Sequence, residues 1–470
     1  MTSYRIPAFA TILLLLPVRT THAQTVFERT YGGSDSDIGG DVRQTADGGY
    51  IIAGTTHSFG RGSGDVYLIR TDGLGDTLWT RTYGGPEVEE GKSVRETFEG
   101  GYAVLAATST PGKSPEILLI NTDSFGNVNW MRTYGDGLGD WGNAFEQTAD
   151  SGFIIAGTTS NAGGVDLLAL RLTSDGDTVW ARSFAGPGIY SVGVSVRQTS
   201  DGGFVFGGRS EISDLITVGY VVRTNQSGDT LWTRTYPETC AGVLQLPDGG
   251  FGLAVNPRFW TSAMGITRTD SRGDTVWTRR YEGLFPSSIA LTSDHGFVVS
   301  GTTSFPSEAV LLKTDSSGNS FWMQTFGGES VAGAAAAEQT SDGGYIMVGS
   351  TSSSGQGPTD VYLIKTNPEG TTGVEDPAGS EVPSAFSLNQ NYPNPFNPTS
   401  SISYSLAEAG QVRLEVFNLL GQRVRVLVNS TQVAGDYTVR FDATGLPAGI
   451  YFYRLRSGES AETRSLVLLK

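Results

Sequence analysis

An internal repeat constrains this chain more than any other feature of its sequence. The stretch QTADGGYIIAGTTHS (44–58) returns as QTADSGFIIAGTTSN (147–161), QTSDGGFVFGGRSE (198–211) and QTSDGGYIMVGSTSS (339–353). The acidic residue of this stretch recurs seven times, at intervals of 46 to 52 residues. These seven positions are Asp47, Glu99, Asp150, Asp201, Asp248, Asp294 and Asp342. Repeats of this length indicate an array of small supersecondary units that bury their faces against one another.

Each repeat resolves into four short strands. In the first, these are residues 41–45, 49–56, 65–71 and 76–84, and Asp/Gly turns of the tight-hairpin type join the first to the second and the third to the fourth. The composition agrees, since 64 glycines accompany strand-forming residues and no long helical periodicity occurs. We therefore predict an all-β fold in which each repeat is one blade of a β-propeller.

The number of blades follows from a missing strand. A tryptophan marks the fourth strand of six repeats, but the last repeat ends at its third strand, 360–366. The segment TVFERTYGG (25–33) resembles TLWTRTYGG (77–85), with Phe27 in the tryptophan position. We expect this N-terminal strand to complete the last blade beside residues 360–366, which gives a seven-bladed propeller over 24–366 with no open edge at that seam.

The first 23 residues are typical of a secretory signal peptide, with Arg5 ahead of a short apolar run and a small-residue site at 21–23. The chain has 32 Lys and Arg against 48 Asp and Glu, and removal of the leader would leave a net charge of −18. Such a surface repels phosphate, so we expect no nucleic-acid partner, and no later segment is apolar enough for a transmembrane helix. Cys240 is the only cysteine and is interpreted as a buried core residue.

The candidate binding surface is formed by the loops that differ between repeats. The turns inside the two hairpins of each unit are nearly uniform, whereas the loops at the other end vary, and variable loops on a repeated scaffold commonly bind ligands. Two tryptophans fall in this set: Trp141 in a crossover, and Trp260 beside Arg258 and Phe259. They are equally consistent with contacts to a glycan or protein partner and with filling gaps between loops.

Catalysis has weaker support in the sequence. Beyond the leader only His57 and His295 remain, at opposite ends of the predicted ring, so neither a catalytic triad nor a histidine zinc site can be assembled. Carboxylate pairs such as Asp136 and Asp140 are better explained as surface charge. The loop DSDIGGD (35–41) lacks ligands that a calcium loop needs. We expect no metal, no cofactor and no catalytic residue, although a secreted propeller enzyme acting on polysaccharide or sugars stays open as the alternative.

The repeat also resembles a known class of propeller. In VYLIRTDGLGDTLW (66–79) and VVRTNQSGDTLW (221–232) a strand is followed by glycine and, four residues later, by tryptophan. This pattern is similar to that of the quinoprotein-like propellers over most of residues 25–366. The resemblance implies the propeller architecture. It does not extend to the adjacent cysteines or the calcium-bound cofactor site of the enzymes in that group.

A different β pattern begins after the last repeat. Residues 367–385 are rich in Pro, Gly and acidic residues and are predicted to be a flexible linker. In 386–470, a hairpin over 411–428 turns at Asn418 to Gly421, and three more strands follow. This pattern predicts a small antiparallel, immunoglobulin-like β-sandwich.

The C-terminal module resembles the type A sorting domain of the type IX secretion system. The motifs FSLNQNYPNPFNP (386–398), VFNLLGQRV (416–424) and AGDYTVRFDATGLPAGIYFYRL (434–455) occur in the family's order and are followed by a terminal strand. The resemblance implies recognition by the type IX translocon through a motif that comprises Tyr392, Pro393, Asn394, Pro395, Phe396, Asn397 and Pro398.

These expectations combine into one hypothesis about function. The chain is a secreted or outer-surface bacterial protein that reaches the periplasm through its signal peptide and leaves the cell through its sorting domain. Its propeller is a monomeric binding or scaffold module for a glycan or protein, with Trp141, Arg258, Phe259 and Trp260 as candidate ligand contacts.

Overall fold

The computed structural model describes most of the chain. The described residues are 26–109, 114–161, 163–213, 216–256, 263–303, 307–327, 332–353, 355–372, 386–391, 394–396, 398–408, 410–432, 435–458 and 460–469. The predicted signal peptide and Arg258, Phe259 and Trp260 lie outside these ranges, as does most of the predicted linker. The chain divides into two compact units, Met1–Gly373 and Val374–Lys470.

All regular structure in the described residues is β-strand. The strands of the N-terminal unit are β1 (Phe27–Tyr31), β2 (Asp37–Gln44), β3 (Tyr50–Thr56), β4 (Asp65–Thr71), β5 (Thr77–Tyr83), β6 (Val88–Glu96), β7 (Tyr102–Ser109), β8 (Glu116–Thr122), β9 (Val128–Tyr134), β10 (Asp140–Gln147), β11 (Phe153–Asn161), β12 (Gly164–Leu172), β13 (Thr178–Phe184), β14 (Tyr190–Gln198), β15 (Phe204–Ser213), β16 (Ile216–Thr224), β17 (Thr230–Tyr236), β18 (Thr239–Gln245), β19 (Phe251–Asn256), β20 (Ala263–Thr269), β21 (Thr275–Glu282), β22 (Leu284–Leu291), β23 (Phe297–Thr303), β24 (Ala309–Thr314), β25 (Ser320–Phe326), β26 (Ala332–Gln339), β27 (Tyr345–Thr351) and β28 (Asp360–Thr366). Within the same residues there is no helix with the length and apolar character needed to cross a bilayer.

These strands form antiparallel groups of four in sequence order, here called units 1 to 7. Unit 1 is β2–β5, unit 2 is β6–β9, and the pattern continues to unit 6, which is β22–β25. Units 3 and 4 are joined by a single parallel bridge between Val165 and Tyr190. The first strand of unit 1, β2, begins four residues earlier than predicted, because its pairing with β3 extends through the Gly-containing segment before it, to Asp37 opposite Thr56.

Unit 7 takes its fourth strand from the start of the chain. Its sheet order is β1-β28-β27-β26, and β1 pairs with β28 in antiparallel register from Phe27 opposite Lys365 to Tyr31 opposite Val361. The pairing predicted from the resemblance of 25–33 to 77–85 is thereby confirmed. One buried apolar cluster contains Phe27, Ile346 and Leu363 of unit 7 together with Val42 and Ile52 of unit 1.

Burial within a unit follows strand position. Every residue of β3 and β4 is buried, as expected for strands covered on both faces. The fourth strand is the outer one, and in β5 exposed residues alternate with partly buried ones such as Trp79. Trp79 packs against the cluster shared by units 1 and 2, so the tryptophan that marks this strand is a packing residue.

Each outer aromatic ring lies on a glycine of the following unit. A Cβ at Gly126 would stand 3.0 Å from the Trp79 ring, and Gly126 has φ of +77° in a turn that favours glycine. The other pairs of ring and glycine are Trp130–Gly176, Trp180–Gly228, Trp232–Gly273, Trp277–Gly318, Trp322–Gly370 and Phe27–Gly75. The last pair joins unit 7 to unit 1.

A second contact between units is a hydrogen bond from a hairpin turn. The donor is the backbone N–H of the residue that precedes the repeated acidic residue. The acceptor is a side-chain oxygen of the Gln or Glu that ends the first strand of the following unit. The donor and acceptor pairs are Ala46–Glu96, Phe98–Gln147, Ala149–Gln198, Ser200–Gln245, Ser293–Gln339 and Ser341–Gln44, at 2.7 to 2.9 Å. The Ser341–Gln44 bond again joins unit 7 to unit 1.

The junction between units 5 and 6 departs from this pattern on both sides. The turn residue there is Pro247, which has no N–H, and the strand ends at Leu291 instead of glutamine. Donor and acceptor are thus replaced together, so neither side of the junction keeps one partner of the bond without the other.

The described residues of the C-terminal unit form seven strands in two sheets. They are β29 (Ser387–Leu388), β30 (Thr399–Leu406), β31 (Gly410–Phe417), β32 (Arg423–Gln432), β33 (Gly435–Asp442), β34 (Gly449–Ser457) and β35 (Ser460–Leu468). The sheet orders are β29-β30-β33 and β32-β31-β34-β35. One buried cluster takes Tyr404 and Phe441 from the first sheet and Leu414, Tyr453 and Leu466 from the second. The predicted hairpin turn is confirmed by the hydrogen bond from Gly421 N to Asn418 O, 2.9 Å.

Phe27→Ala should weaken the seam. Phe27 is 6% exposed and its ring lies 5.9 Å from that of Tyr50. Its truncation should lower the free energy of unfolding by about 3 kcal/mol, as for other buried Phe to Ala changes. Denaturant titration measures this, and Leu78→Ala on an exposed face should change it by no more than about 0.5 kcal/mol. A loss at Phe27 no larger than at Leu78 would contradict a packed seam.

Pro247→Ser and Leu291→Gln together should create the hydrogen bond that the junction of units 5 and 6 lacks. Each single change supplies one partner, so only the pair can gain the bond. A double-mutant cycle on denaturation free energies should give a favourable coupling of about 0.5 to 1.5 kcal/mol. Additive effects would show that the two positions do not face each other as the equivalent pair Ser293 and Gln339 does.

Candidate functional site

The first strands of all seven units end at one cavity of about 520 Å³, here called the seven-strand pocket. Each first strand contributes one or both of its last two residues. The lining residues are Arg43 of β2, Arg95 of β6, Glu146 of β10, Arg197 and Gln198 of β14, Leu244 and Gln245 of β18, Ala290 and Leu291 of β22, and Glu338 and Gln339 of β26. The pocket therefore lies at the end of the first strands that leads into the uniform turns.

An ion-pair network occupies one side of the pocket. Arg43 lies 2.8 Å from Glu338 Oε2 and 3.2 Å from the buried carboxylate of Asp41. Gln44 N donates to the other oxygen of Glu338 at 2.6 Å. Burial acts to lower the pKa of Arg43, but Asp41 and Glu338 outweigh it, so the pKa is raised. This arginine is charge-compensated within the protein.

Arg95 shares the same carboxylate. Its Nη1 donates to Asp41 Oδ2 at 2.6 Å, and Ser93 Oγ donates to that oxygen at 2.6 Å. Burial acts to raise the pKa of Asp41, but Arg43 and Arg95 outweigh it and the pKa is lowered. Burial and the nearby charge of Arg43 lower the pKa of Arg95 to about 10, still well above neutrality. One carboxylate thus serves two guanidinium groups.

Of the three arginines that line the pocket, Arg197 has the fewest partners. Its guanidinium donates to the carbonyl oxygen of Val196, at 3.2 Å. No described carboxylate oxygen comes within 4.0 Å of it. Glu146 acts to raise its pKa, but burial, together with Arg43, lowers it. Glu146 is itself engaged, since its Oε2 accepts a hydrogen bond from Gln198 N at 2.5 Å.

Trp141, the one predicted ligand contact that the structure describes, does not line this pocket. Trp141 was expected in a crossover, but it lies in strand β10 opposite Thr158. Trp141 lies in the strand because β10 already begins at Asp140, whose N–H donates to Pro115 O of the preceding unit at 2.9 Å. The Trp141 ring is partly buried against Gly139 of its own crossover. Arg258, Phe259 and Trp260 lie outside the described residues.

The pocket residues carry a signal that the sequence does contain. Counting back four residues from each repeated acid gives Arg43, Arg95, Glu146, Arg197, Leu244, Ala290 and Glu338. Within an otherwise regular repeat, this position changes between cation, anion and apolar residue. Such variation at an aligned strand position would have indicated the pocket, whereas the comparison of loops pointed to the opposite end.

The repeated turn acids themselves have a structural role. In six units the carboxylate pairs with a cation near the end of the third strand, and in unit 2 Glu99 is matched by Asn121 in place of a cation. The pairs are Asp47–Arg70, Asp150–Arg171, Asp201–Arg223, Asp248–Arg268, Asp294–Lys313 and Asp342–Lys365. Apart from Arg268 these cations are almost fully buried, so each carboxylate compensates a charge that water does not reach.

Other candidate chemical groups are also accounted for locally. Asp136 and Asp140 line a separate cavity of about 440 Å³. Asp140 Oδ2 accepts from Asp136 N at 3.0 Å and Asp136 Oδ1 accepts from Leu138 N at 2.9 Å, so both carboxylates stabilise the crossover. Burial raises the pKa of Cys240 to about 12, which makes it an unreactive core thiol. Within the described ranges no three His, Cys, Asp or Glu side chains converge as metal ligands.

In the C-terminal unit, the described part of the sorting motif is anchored to the last strand. Asn394 Oδ1 accepts from Val467 N at 2.8 Å, and Phe396 exchanges backbone hydrogen bonds with Val467 and Leu469. Phe396 is 2% exposed in the core of the unit, and Pro395 and Pro398 are exposed. Tyr392, Pro393 and Asn397 lie outside the described residues. The motif is thus bound along its own domain at Asn394 and Phe396.

The family of this C-terminal unit is established by comparison. Residues 390–469 match the family model described as the secretion system C-terminal sorting domain, and these residues belong to that family. The resemblance to a type IX sorting domain is confirmed. The chain is therefore exported to the cell surface or secreted. No curated protein matches the chain.

Several solved structures are similar to the chain at low identity. A protein of unknown function from Bacteroides caccae is 15% identical with a TM-score of 0.38, covering 57% of this chain and 90% of its own. PorZ, described as an essential surface component of the type IX secretion system of Porphyromonas gingivalis, is 11% identical with a TM-score of 0.42 and covers 91% of this chain. A puromycin hydrolase is 15% identical with a TM-score of 0.47 and covers 80%. The chain spans 59% and 60% of the last two, and similarities at this level assign no function to it.

Asp294→Asn should alter the acid sensitivity of the protein. Partial burial acts to raise the pKa of Asp294, but hydrogen bonds from Lys313 and Thr292 outweigh it and lower the pKa from 3.8 to about 2. A depressed folded-state pKa stabilises the fold above the unfolded value and loses this contribution as pH falls through about 2. The stability difference between wild type and Asp294→Asn should therefore shrink between about pH 4 and pH 2.

Thermal unfolding across that pH range measures the difference. The exposed turn residue Asp175, changed to Asn, is the control and should leave the profile nearly unchanged. A pH-independent gap between wild type and Asp294→Asn would contradict the role assigned to the carboxylate.

Proposed function

We propose that this chain is an exported binding protein, built as a seven-bladed β-propeller that is closed by its N-terminal strand, a linker over 367–385 and a sandwich-like sorting domain over 386–470. The ring is supported by two kinds of contact that run from each unit to the next and recur from unit 7 to unit 1. The propeller is the cargo that the sorting domain delivers outside the cell.

The seven-strand pocket is the proposed binding site. The observation that carries this proposal is the convergence of seven equivalent strand ends, with different side chains, on one cavity. Its volume lies in the usual range for small-ligand sites. If the seven strand ends served packing alone, we would expect the same kind of residue at this position in every unit. The pocket instead combines three arginines, two glutamates and an apolar segment.

The variable loops stay a second proposed surface for a glycan or protein partner. Trp141, Arg258, Phe259 and Trp260 are the contacts proposed there. Only Trp141 has described surroundings, and its partly buried ring offers one face at most.

The alternative of a secreted enzyme has less support. A hydrolase working through two carboxylates needs one free base and one acid of raised pKa. In the pocket Glu146 accepts a hydrogen bond from Gln198 N, and Glu338 is held by Gln44 N and Arg43. Both glutamates are therefore engaged in contacts within the protein.

Ala290→Trp should abolish ligand binding by filling the apolar side of the pocket. Saturation-transfer NMR on the secreted chain, with mixtures of sugars, sugar acids and organic acids as probes, should detect at least one compound that binds wild type and not the variant. Phe125→Trp adds the same indole at an exposed turn and should bind as wild type does. Equal melting temperatures of the two variants would exclude unfolding as the cause.

Three outcomes would count against parts of this proposal. Compounds that bind wild type and Ala290→Trp equally would move the site away from the pocket. Consumption of a bound compound would support the enzyme. A complete lack of binding by wild type would overturn the binding role and favour a structural one.

A further inference from the structure

We propose that the seven-strand pocket recognises a small organic carboxylate with an apolar body, whose anionic group binds Arg197. This inference rests on the proposed binding function and specifies the chemical class of its ligand. It depends on an arginine whose donors are mostly unused, on the placement of the nearby carboxylates on the other two arginines and on an apolar wall beside it.

The unused donors belong to Arg197. A guanidinium has five N–H donors in a planar fork, and Arg197 uses one of them on the carbonyl oxygen of Val196. The two other arginines of the pocket differ, because Arg43 and Arg95 both contact Asp41. A planar fork without a carboxylate matches the geometry of an incoming carboxylate, which it can bind through two parallel hydrogen bonds.

The distribution of charge points in the same direction. Three arginines and two glutamates line the pocket, and Asp41 brings the carboxylates to three, so the formal charges balance. Asp41 and Glu338 are in contact with Arg43 or Arg95, however, and none of the three carboxylates lies within 4.0 Å of Arg197. The lowered pKa values of Arg95 and Arg197 have a common origin in burial and in the charge of Arg43. One added negative charge beside Arg197 would relieve this repulsion, whereas a cation or a neutral sugar would not.

The apolar wall lies beside Arg197 in the order of the units. Unit 5 contributes Leu244, and unit 6 contributes Ala290 and Leu291. Leu291 stands where five of the other first strands end in glutamine. A ligand that places its carboxylate on Arg197 would therefore direct its remaining atoms toward these apolar side chains. Burial of an apolar body there is favourable, whereas burial of a sugar's hydroxyl groups without hydrogen-bond partners costs free energy.

Isothermal titration calorimetry on the full secreted chain tests this with three probes. Phenylacetate carries the carboxylate and an apolar body, phenylacetamide has the same shape without the charge, and glucuronate carries the carboxylate on a polar body. We expect phenylacetate to bind at least tenfold more tightly than either of the others, since hydrogen bonds to charged groups carry the larger share of such selectivity.

Two variants locate the interaction. Arg197→Gln should weaken phenylacetate binding about tenfold or more and leave phenylacetamide unaffected. Arg209→Gln removes the same charge from an exposed position in the same unit and should bind phenylacetate as wild type does. Binding should also weaken with added NaCl in wild type and lose most of that dependence in Arg197→Gln.

The outcomes separate this inference from the function on which it rests. Equal affinity for phenylacetate and phenylacetamide, or no effect of Arg197→Gln, would overturn the carboxylate. Equal affinity for phenylacetate and glucuronate would overturn the apolar body. If none of the three probes binds while Ala290→Trp still removes NMR binding of another compound, the ligand class is wrong and the binding function stands. If both experiments are negative, both proposals fail.

Discussion

The fold depends on contacts that no unit can make by itself. The second and third strands of a unit are covered on both faces, so each unit must lie against two neighbours to bury them. The outer aromatic ring meets a glycine of the next unit, and the turn N–H meets a side-chain oxygen of the next first strand. Because both contacts have a direction, a chain of such units has an unmatched donor at one end and an unmatched acceptor at the other. The Ser341–Gln44 and Phe27–Gly75 contacts remove both.

The exceptions to the repeat are informative because each one changes two residues. Pro247 without a donor faces the junction where Leu291 lacks an acceptor, and Glu99 occurs in the unit whose third strand carries Asn121 instead of a cation. An unpaired buried cation costs more free energy than a missing pair. Each departure therefore replaces both partners of a contact instead of one.

Much of this architecture could be predicted from the sequence, and particular residues explain where prediction stopped. The seven repeats, the strand borrowed at Phe27 and the sorting module all follow from patterns of residues close together in the chain. The pocket does not, because Arg43, Arg95 and Arg197 lie about fifty residues apart and each has the sequence appearance of an ordinary polar residue on a strand. Trp141 was assigned to a loop since the pairing that extends β10 depends on Pro115 of another unit. In both cases the position of the residue depends on contacts between units that are far apart in the sequence.

The charge of the protein sets how such a pocket can work. With a net charge of −16 the chain repels anions at a distance, so steering cannot bring a carboxylate to the site. At physiological ionic strength, however, exposed charges are screened beyond about 8 Å, and most of the turn acids are already paired with buried cations. Inside the pocket the nearest unpaired charge is a guanidinium in partly dehydrated surroundings, where electrostatic attraction is stronger than in water. Selectivity for an anion would then come from dissociation rather than from the rate of encounter, and an acidic exterior is compatible with a site that binds an anion.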